Sequence, residues 1–76
     1  MTSMLDGYII ERQGVSWDER FYKSFSFSGE PVFGEDRRAT VFVNKNDANS
    51  IRDKIIESSG IYVSVHARSD FYPPPL

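Results

Sequence analysis

Seventy-six residues make one domain, and a content of 39% apolar, 26% charged and 14% aromatic residues describes a chain that folds rather than one that stays disordered. There is no cysteine, which excludes disulfides and thiolate metal sites, and a net charge of −2 argues against the concentrated basic face of a nucleic-acid binder. A domain of this size buries only ~60% of the surface its unfolded chain exposes, so association with another protein or with a second copy is the expected stabiliser.

The first residues, MTSMLDGYII, lack the basic start of a secretory leader and carry Asp6 early. No apolar run approaches the ~20 residues of a membrane span, so a cytoplasmic protein with no membrane partner is expected. Residues 7–14, GYIIERQG, read as a strand closed by Gly14, and VSWD as a turn. Residues 19–29, ERFYKSFSFSG, read as a second strand ending at Gly29 and hairpin-paired with the first. Within it, Phe25 and Phe27 are expected in the core, with the serines outward. A base-stacking platform of these rings beside Lys23 is the competing reading, but the glycine–aromatic signature of an RNA-binding strand is missing. In GEPVFGEDRR, Gly29, Pro31 and Gly34 predict a loop over residues 29–38. A phosphate site there lacks the Lys-Ser/Thr that would follow such glycines, and Glu35 and Asp36 would repel an anion. ATVFV, residues 39–43, reads as a third strand.

The helix signal spans NKNDANSIRDKIIESSG. Asn44 is a good N-cap, Asp47 a weak capping-box partner, Val43 and Ala48 the positions of a hydrophobic staple, and Gly60 the left-handed stop. At 100° per residue Ala48, Ile51, Ile55 and Ile56 share one stripe, opposite Asn46, Asp53 and Glu57. Arg52 falls inside the apolar stripe, either snorkelling to water or pairing with a carboxylate on the sheet or on a partner. IYVSVHA then alternates, with Ile61, Val63 and Val65 on one face and Tyr62, Ser64 and His66 on the other. Strand geometry sets Ser64 and His66 about 7 Å apart, too far for a direct hydrogen bond, and no strained Gly-x-Ser-x-Gly turn occurs, so no enzyme is expected. One histidine and scattered carboxylates imply no metal site and no cofactor.

The sum is an α+β fold: a four-stranded antiparallel or mixed sheet in the order ββ-loop-βαβ with one helix on one face, residues 1–70 forming the domain. Residues 71–76 form an extended proline-rich arm, because each proline fixes its own φ and restricts the residue before it. If Val41, Val43, Val63 and Val65 face the helix, then Phe42, Tyr62, Tyr22 and either Tyr8 or Ile9 lie on the back of the sheet. That face, with Arg52, His66 and the arm's Phe71, Tyr72 and Leu76, is the expected partner-binding surface, unless the loop at 29–38 or the arm covers it. The arm is expected to act as a strap of pre-set shape, on the chain's own back face, on a twin subunit or on a target.

Over residues 39–56, the strand with Ala39 and Phe42, the polar cap, the acid, Ala48 and the spaced isoleucines resemble small accessory proteins of bacteriophages. The resemblance implies a single-domain binder that inhibits a host factor, such as restriction or CRISPR defence machinery, in the cytoplasm of the bacterial host. It assigns no functional residue. The alternative from another class is a nucleic-acid-associated module using Lys23, Arg12, Arg20, Arg37, Arg38 and Arg68 around the same aromatics, which steep salt dependence would reveal.

Overall fold

Ile9 and Ile10 follow one another in the first strand, and both are fully buried. Consecutive strand residues point to opposite faces, so this strand must be covered from both sides. In the computed structural model, which describes residues 7–71, that strand is β1 (Tyr8–Arg12), one of the two inner strands of a four-stranded sheet. The others are β2 (Phe21–Phe25), β3 (Pro31–Gly34) and β4 (Val63–Ala67), in spatial order β3-β2-β1-β4 with every pair antiparallel. One helix, α1 (Lys45–Ser59), packs on one face, which is the expected α+β architecture.

The helix obeys its sequence signals. The Asn44 side chain accepts a hydrogen bond from the Asn46 N–H at 2.8 Å, and Gly60 takes φ 75° and donates to Ile56 O at 2.9 Å. Ala48 and Ile55 are fully buried, while Ile51 and Ile56 flank the core of Ile10, Tyr22, Ile55 and Val63. The staple does not form, because Val43 is 94% exposed.

Two expectations about the strands are corrected. The third strand is Pro31–Gly34, inside the segment read as a loop, and ATVFV is not a strand. The reason is local. β1 and β2 pair only through Glu11 and Phe21, with Arg12 N donating to Arg20 O at 2.7 Å, and then part. Residues 40–42 bridge the gap: Tyr8 and Phe42 exchange two hydrogen bonds of 2.8 Å, and Thr40 N donates to Tyr22 O at 3.0 Å. The Thr40 hydroxyl donates to Lys23 O. Phe42 therefore faces the core and stacks on Tyr22 at 6.2 Å, while Val41 and Val43, expected beneath the helix, are exposed. A shift of one residue in an extended segment exchanges its two faces. The wedge also requires Gly7, at φ 105°, where a Cβ would stand 2.6 Å from Val41 Cγ1.

The second correction concerns β2. Its register with β3 shifts between Tyr22 and Ser24, so Lys23 is the extra residue of a bulge. That resets the alternation, and Tyr22 and Phe25 share the helix side with rings 5.4 Å apart. Tyr22 is thus buried rather than on the back, and Phe27, expected in the core, lies in the β2–β3 turn.

The back of the sheet is covered as well. Phe21 is fully buried there between Trp17, from the 3-10 turn Trp17–Glu19, and Phe71, from the 3-10 turn Arg68–Phe71. The rings meet edge to face at 5.0 and 5.1 Å, and Trp17 Nε1 donates to the buried Asp36 carboxylate at 3.1 Å. The expected open aromatic face is therefore closed by short turns, and Phe71 belongs to that cover.

Ile55→Ala should lower stability by about 2–5 kcal/mol and the exposed Asp53→Ala by less than about 0.5 kcal/mol, measured by urea unfolding. Gly7→Ala should lower it by more than about 1 kcal/mol, because the site combines a left-handed φ with a close contact.

Candidate functional site

A polar cluster of the back face lies where β1 and β4 pair. Glu11 stands opposite Ser64, and Ile9 opposite His66, so the side chains of Glu11, Ser64 and His66 emerge on the same face. Glu11 is only 8% exposed, and a carboxylate this buried needs partners. One oxygen, Oε1, lies 3.2 Å from His66 Nε2, and the other lies 3.7 Å from the Arg20 guanidinium. Arg20 is held in turn by Val15 O, to which Nη2 donates at 2.6 Å, and lies 5.6 Å from the centre of the Trp17 ring. Ser64 Oγ stands 2.8 Å from the same His66 Nε2, and the Phe71 ring closes on the imidazole at 5.3 Å.

The expectation that Ser64 and His66 are too far apart is corrected. Their backbones are separated as strand geometry demands, but the side-chain tips lean together and meet. The arrangement nonetheless differs from a nucleophilic relay, in which the serine and the orienting acid use opposite ring nitrogens. Here both oxygens converge on Nε2. The cluster ties β1, β4 and the turn around Arg20 together.

Among the described residues four large apolar side chains are exposed: Val41, Val43, Tyr62 and Phe27. Phe27 is fully exposed (111%) on a well-bonded turn. Ser26 N donates to Glu30 O at 2.7 Å, Gly29 N to Ser26 O at 2.9 Å, and Glu30 N to Ser26 Oγ at 3.2 Å. Beside the turn lie two adjoining hollows. The first, about 290 Å³, is lined by Phe25, Gly29, Lys54 and Ser58, and the second, about 380 Å³, by Glu30, Pro31, Ser58, Ser59 and Ile61. Ser58 lines both, so together they form a shallow trough between the end of α1 and the β2–β3 turn.

The residues expected to form one binding face are dispersed. Tyr62 is 82% exposed, Tyr22 is buried, and burial raises its hydroxyl pKa above the usual value near 10. Phe42 is half-buried against Tyr22, and His66 and Phe71 belong to the back-face cover. Arg52 is half-buried at the helix rim and pairs with its neighbour Asp53 at 3.0 Å, not with the sheet. Tyr72 and Leu76 lie outside the described residues. The sequence reading assigned no role to Glu11 or Trp17, weighed Asp36 only as repelling an anion, and placed Phe27 in the core. The Ser-Phe-Ser-Gly run around Phe27 was a turn signal, whereas the partners of Glu11 come from other elements.

The arginines of the nucleic-acid alternative are engaged within the chain. Arg12 lies over the Phe33 ring at 5.2 Å, Arg20 is held by Val15 and Glu11, and Arg37 and Arg38 stand 3.4 and 3.8 Å from Glu35. Among the described residues no group of three or more His, Asp or Glu side chains is placed to hold a metal, and no helix is long and apolar enough to cross a membrane. Compared with known proteins, the chain matches no family model, no curated protein and no solved structure.

Glu11→Ala strands Arg20 and His66 and should lower stability by about 1–3 kcal/mol in thermal or urea unfolding, with Ser64→Ala costing less because the Glu11–His66 contact remains. Tyr22 gives a pH signature. Its folded pKa is raised, so its contribution is fully present below the ordinary tyrosine value and is lost as pH rises through the higher folded one. Tyr22→Phe should remove that alkaline loss of stability from a pH series of melting curves.

Proposed function

We propose that this chain is a small non-enzymatic protein-binding module that acts by occupying a surface of another protein. The partner class rests on the sequence resemblance over residues 39–56, of which the capped helix forms and the strand does not: a bacterial host or defence protein, bound and inhibited in the host cytoplasm in the manner of phage accessory proteins. The observation that carries the binding reading is Phe27. A large aromatic ring held fully in solvent by a hydrogen-bonded turn has no role in its own core. It is pre-positioned to enter a pocket on a partner with little ordering cost. The trough beside it is lined by the apolar Phe25, Pro31 and Ile61 together with Lys54 and Glu30, a mixed make-up that suits an interface patch. The net charge of −2 and the holding of Arg20 by Val15 and Glu11 make the nucleic-acid alternative the weaker reading.

The test is retention of proteins from bacterial lysate by the wild type and by Phe27→Ala. The expected result is a discrete protein whose affinity falls at least tenfold, about 1.4 kcal/mol, in the variant, while the melting temperature is unchanged. Equal retention by the two proteins would remove Phe27 as the anchor. Binding that collapses steeply with added salt and follows nucleic acid would favour the alternative.

A further inference from the structure

The outer edge of β4 has a hydrogen-bonding pattern that follows from the bonds of β1. Tyr8 exchanges both of its main-chain hydrogen bonds with Phe42, so its N–H and C=O point away from β4. In an antiparallel ladder this direction alternates from residue to residue. Ile9 and Glu11 therefore direct their groups to His66 and Ser64, and Ile10 and Arg12 direct theirs away. The bond from Arg12 N to Arg20 O, on the β2 side, agrees. On β4, Ser64 and His66 are consequently bonded inward, and Val63, Val65 and Ala67 turn their N–H and C=O outward. Among the described residues no strand pairs with that edge.

The two edges of the sheet differ. β3 is four residues long and begins with Pro31, which has no N–H to offer, so that edge is blunted. β4 carries no proline, no lysine and no bulge, and an edge of that kind is a template for another strand.

We propose that the strand it accepts is β4 of a second copy of this chain, paired antiparallel about a two-fold axis beside Val65. The argument is self-complementarity. In that register Val65 faces Val65, Val63 faces Ala67, and Ser64 faces His66 of the second copy. Every outward-turned residue meets an outward-turned residue, so each main-chain donor and acceptor along the edge gains a partner. The side chains match as well: Val63, Val65 and Ala67 lie on the helix side and meet one another, while Ser64 and His66 meet on the other face. A slip of one residue would set outward groups against inward ones, and a slip of two would leave end groups unpaired. Tyr62, exposed just before the strand, falls opposite Arg68 of the second copy and gains cover there. Two four-stranded sheets then run on as one, which supplies the association that a cysteine-free chain of this size is expected to need.

This interface is separate from the Phe27 turn, so it stands or falls independently of the proposed function. The test is sedimentation across the micromolar range together with amide hydrogen exchange on the full chain. A reversible dimer is expected, in which the amides of Val63, Val65 and Ala67 exchange slowly and become fast on dilution, while those of Ser64 and His66 stay protected throughout. Ala67→Pro, which removes one outward N–H, should weaken dimerisation at least about tenfold, and Phe27→Ala should leave it unchanged. If Ala67→Pro fails to fold, exchange in the wild type still decides. A monomer at every concentration overturns the proposal, as does a dimer in which the Val65 amide exchanges at the monomer rate. Protection independent of concentration would mean that a terminal segment of the same chain covers the edge. Protection only on adding another protein would mean a foreign strand. Either result also overturns the proposal.

Discussion

The burial of Ile9 and Ile10 on opposite faces of β1 is the constraint from which the remaining structure follows. A strand covered on one side only needs one packing layer, and a helix of about 15 residues supplies it. A strand covered on both sides needs a second layer, and among the described residues there is no second α-helix to provide it. The cover is assembled instead from Trp17 and Phe71, each carried on a single 3-10 turn and each packed edge to face on Phe21. Aromatic rings suit this role because each buries a large area with few rotatable bonds.

The same constraint explains the polar residues of the back face. Glu11 follows Ile10 and is turned by strand geometry to the side of Ile9, beneath the aromatic cover. A buried carboxylate is tolerable only when both oxygens are engaged, and Arg20 and His66 engage one each. Ser64 completes the coordination of the imidazole. Serine, histidine and glutamate in contact invite a catalytic interpretation, but their meeting on one ring nitrogen beneath Phe71 is the geometry of a brace. Among the described residues the fold leaves two large rings outward, Phe27 on its turn and Tyr62 before β4. Keeping such rings in water has no benefit to the isolated chain, and this supports the proposal that the chain recognises another surface.

Some of this was legible in the sequence because the physics is local. The helix is set by a capping side chain, a glycine stop and an apolar stripe, all within one segment, and its ends fall where those signals stand. The strand at Val63–Ala67 follows from alternation, and the α+β class follows from the order of elements. The faces of the other extended segments were not legible. One extra residue at Lys23 reverses the alternation of β2, placing Tyr22 and Phe25 together, and a bulge has no composition that marks it in a run such as FYKSF.

The sequence by itself thus determined the α+β class, a chain without disulfides, one capped helix whose apolar stripe centres on Ile55, and the strand Val63–Ala67. Tertiary structure alone decided that Pro31–Gly34 joins the sheet and ATVFV does not. The divergence of β1 from β2 leaves a gap that Thr40 and Phe42 bridge, and that gap depends on hydrogen bonds between residues more than fifteen positions apart. It also decided that Glu11 meets Arg20 and His66, and that Phe27 is exposed while Tyr22 is buried. Local signals act through backbone torsions and neighbouring side chains. Which face an extended residue shows, and what it meets there, is settled only when distant strands choose their register.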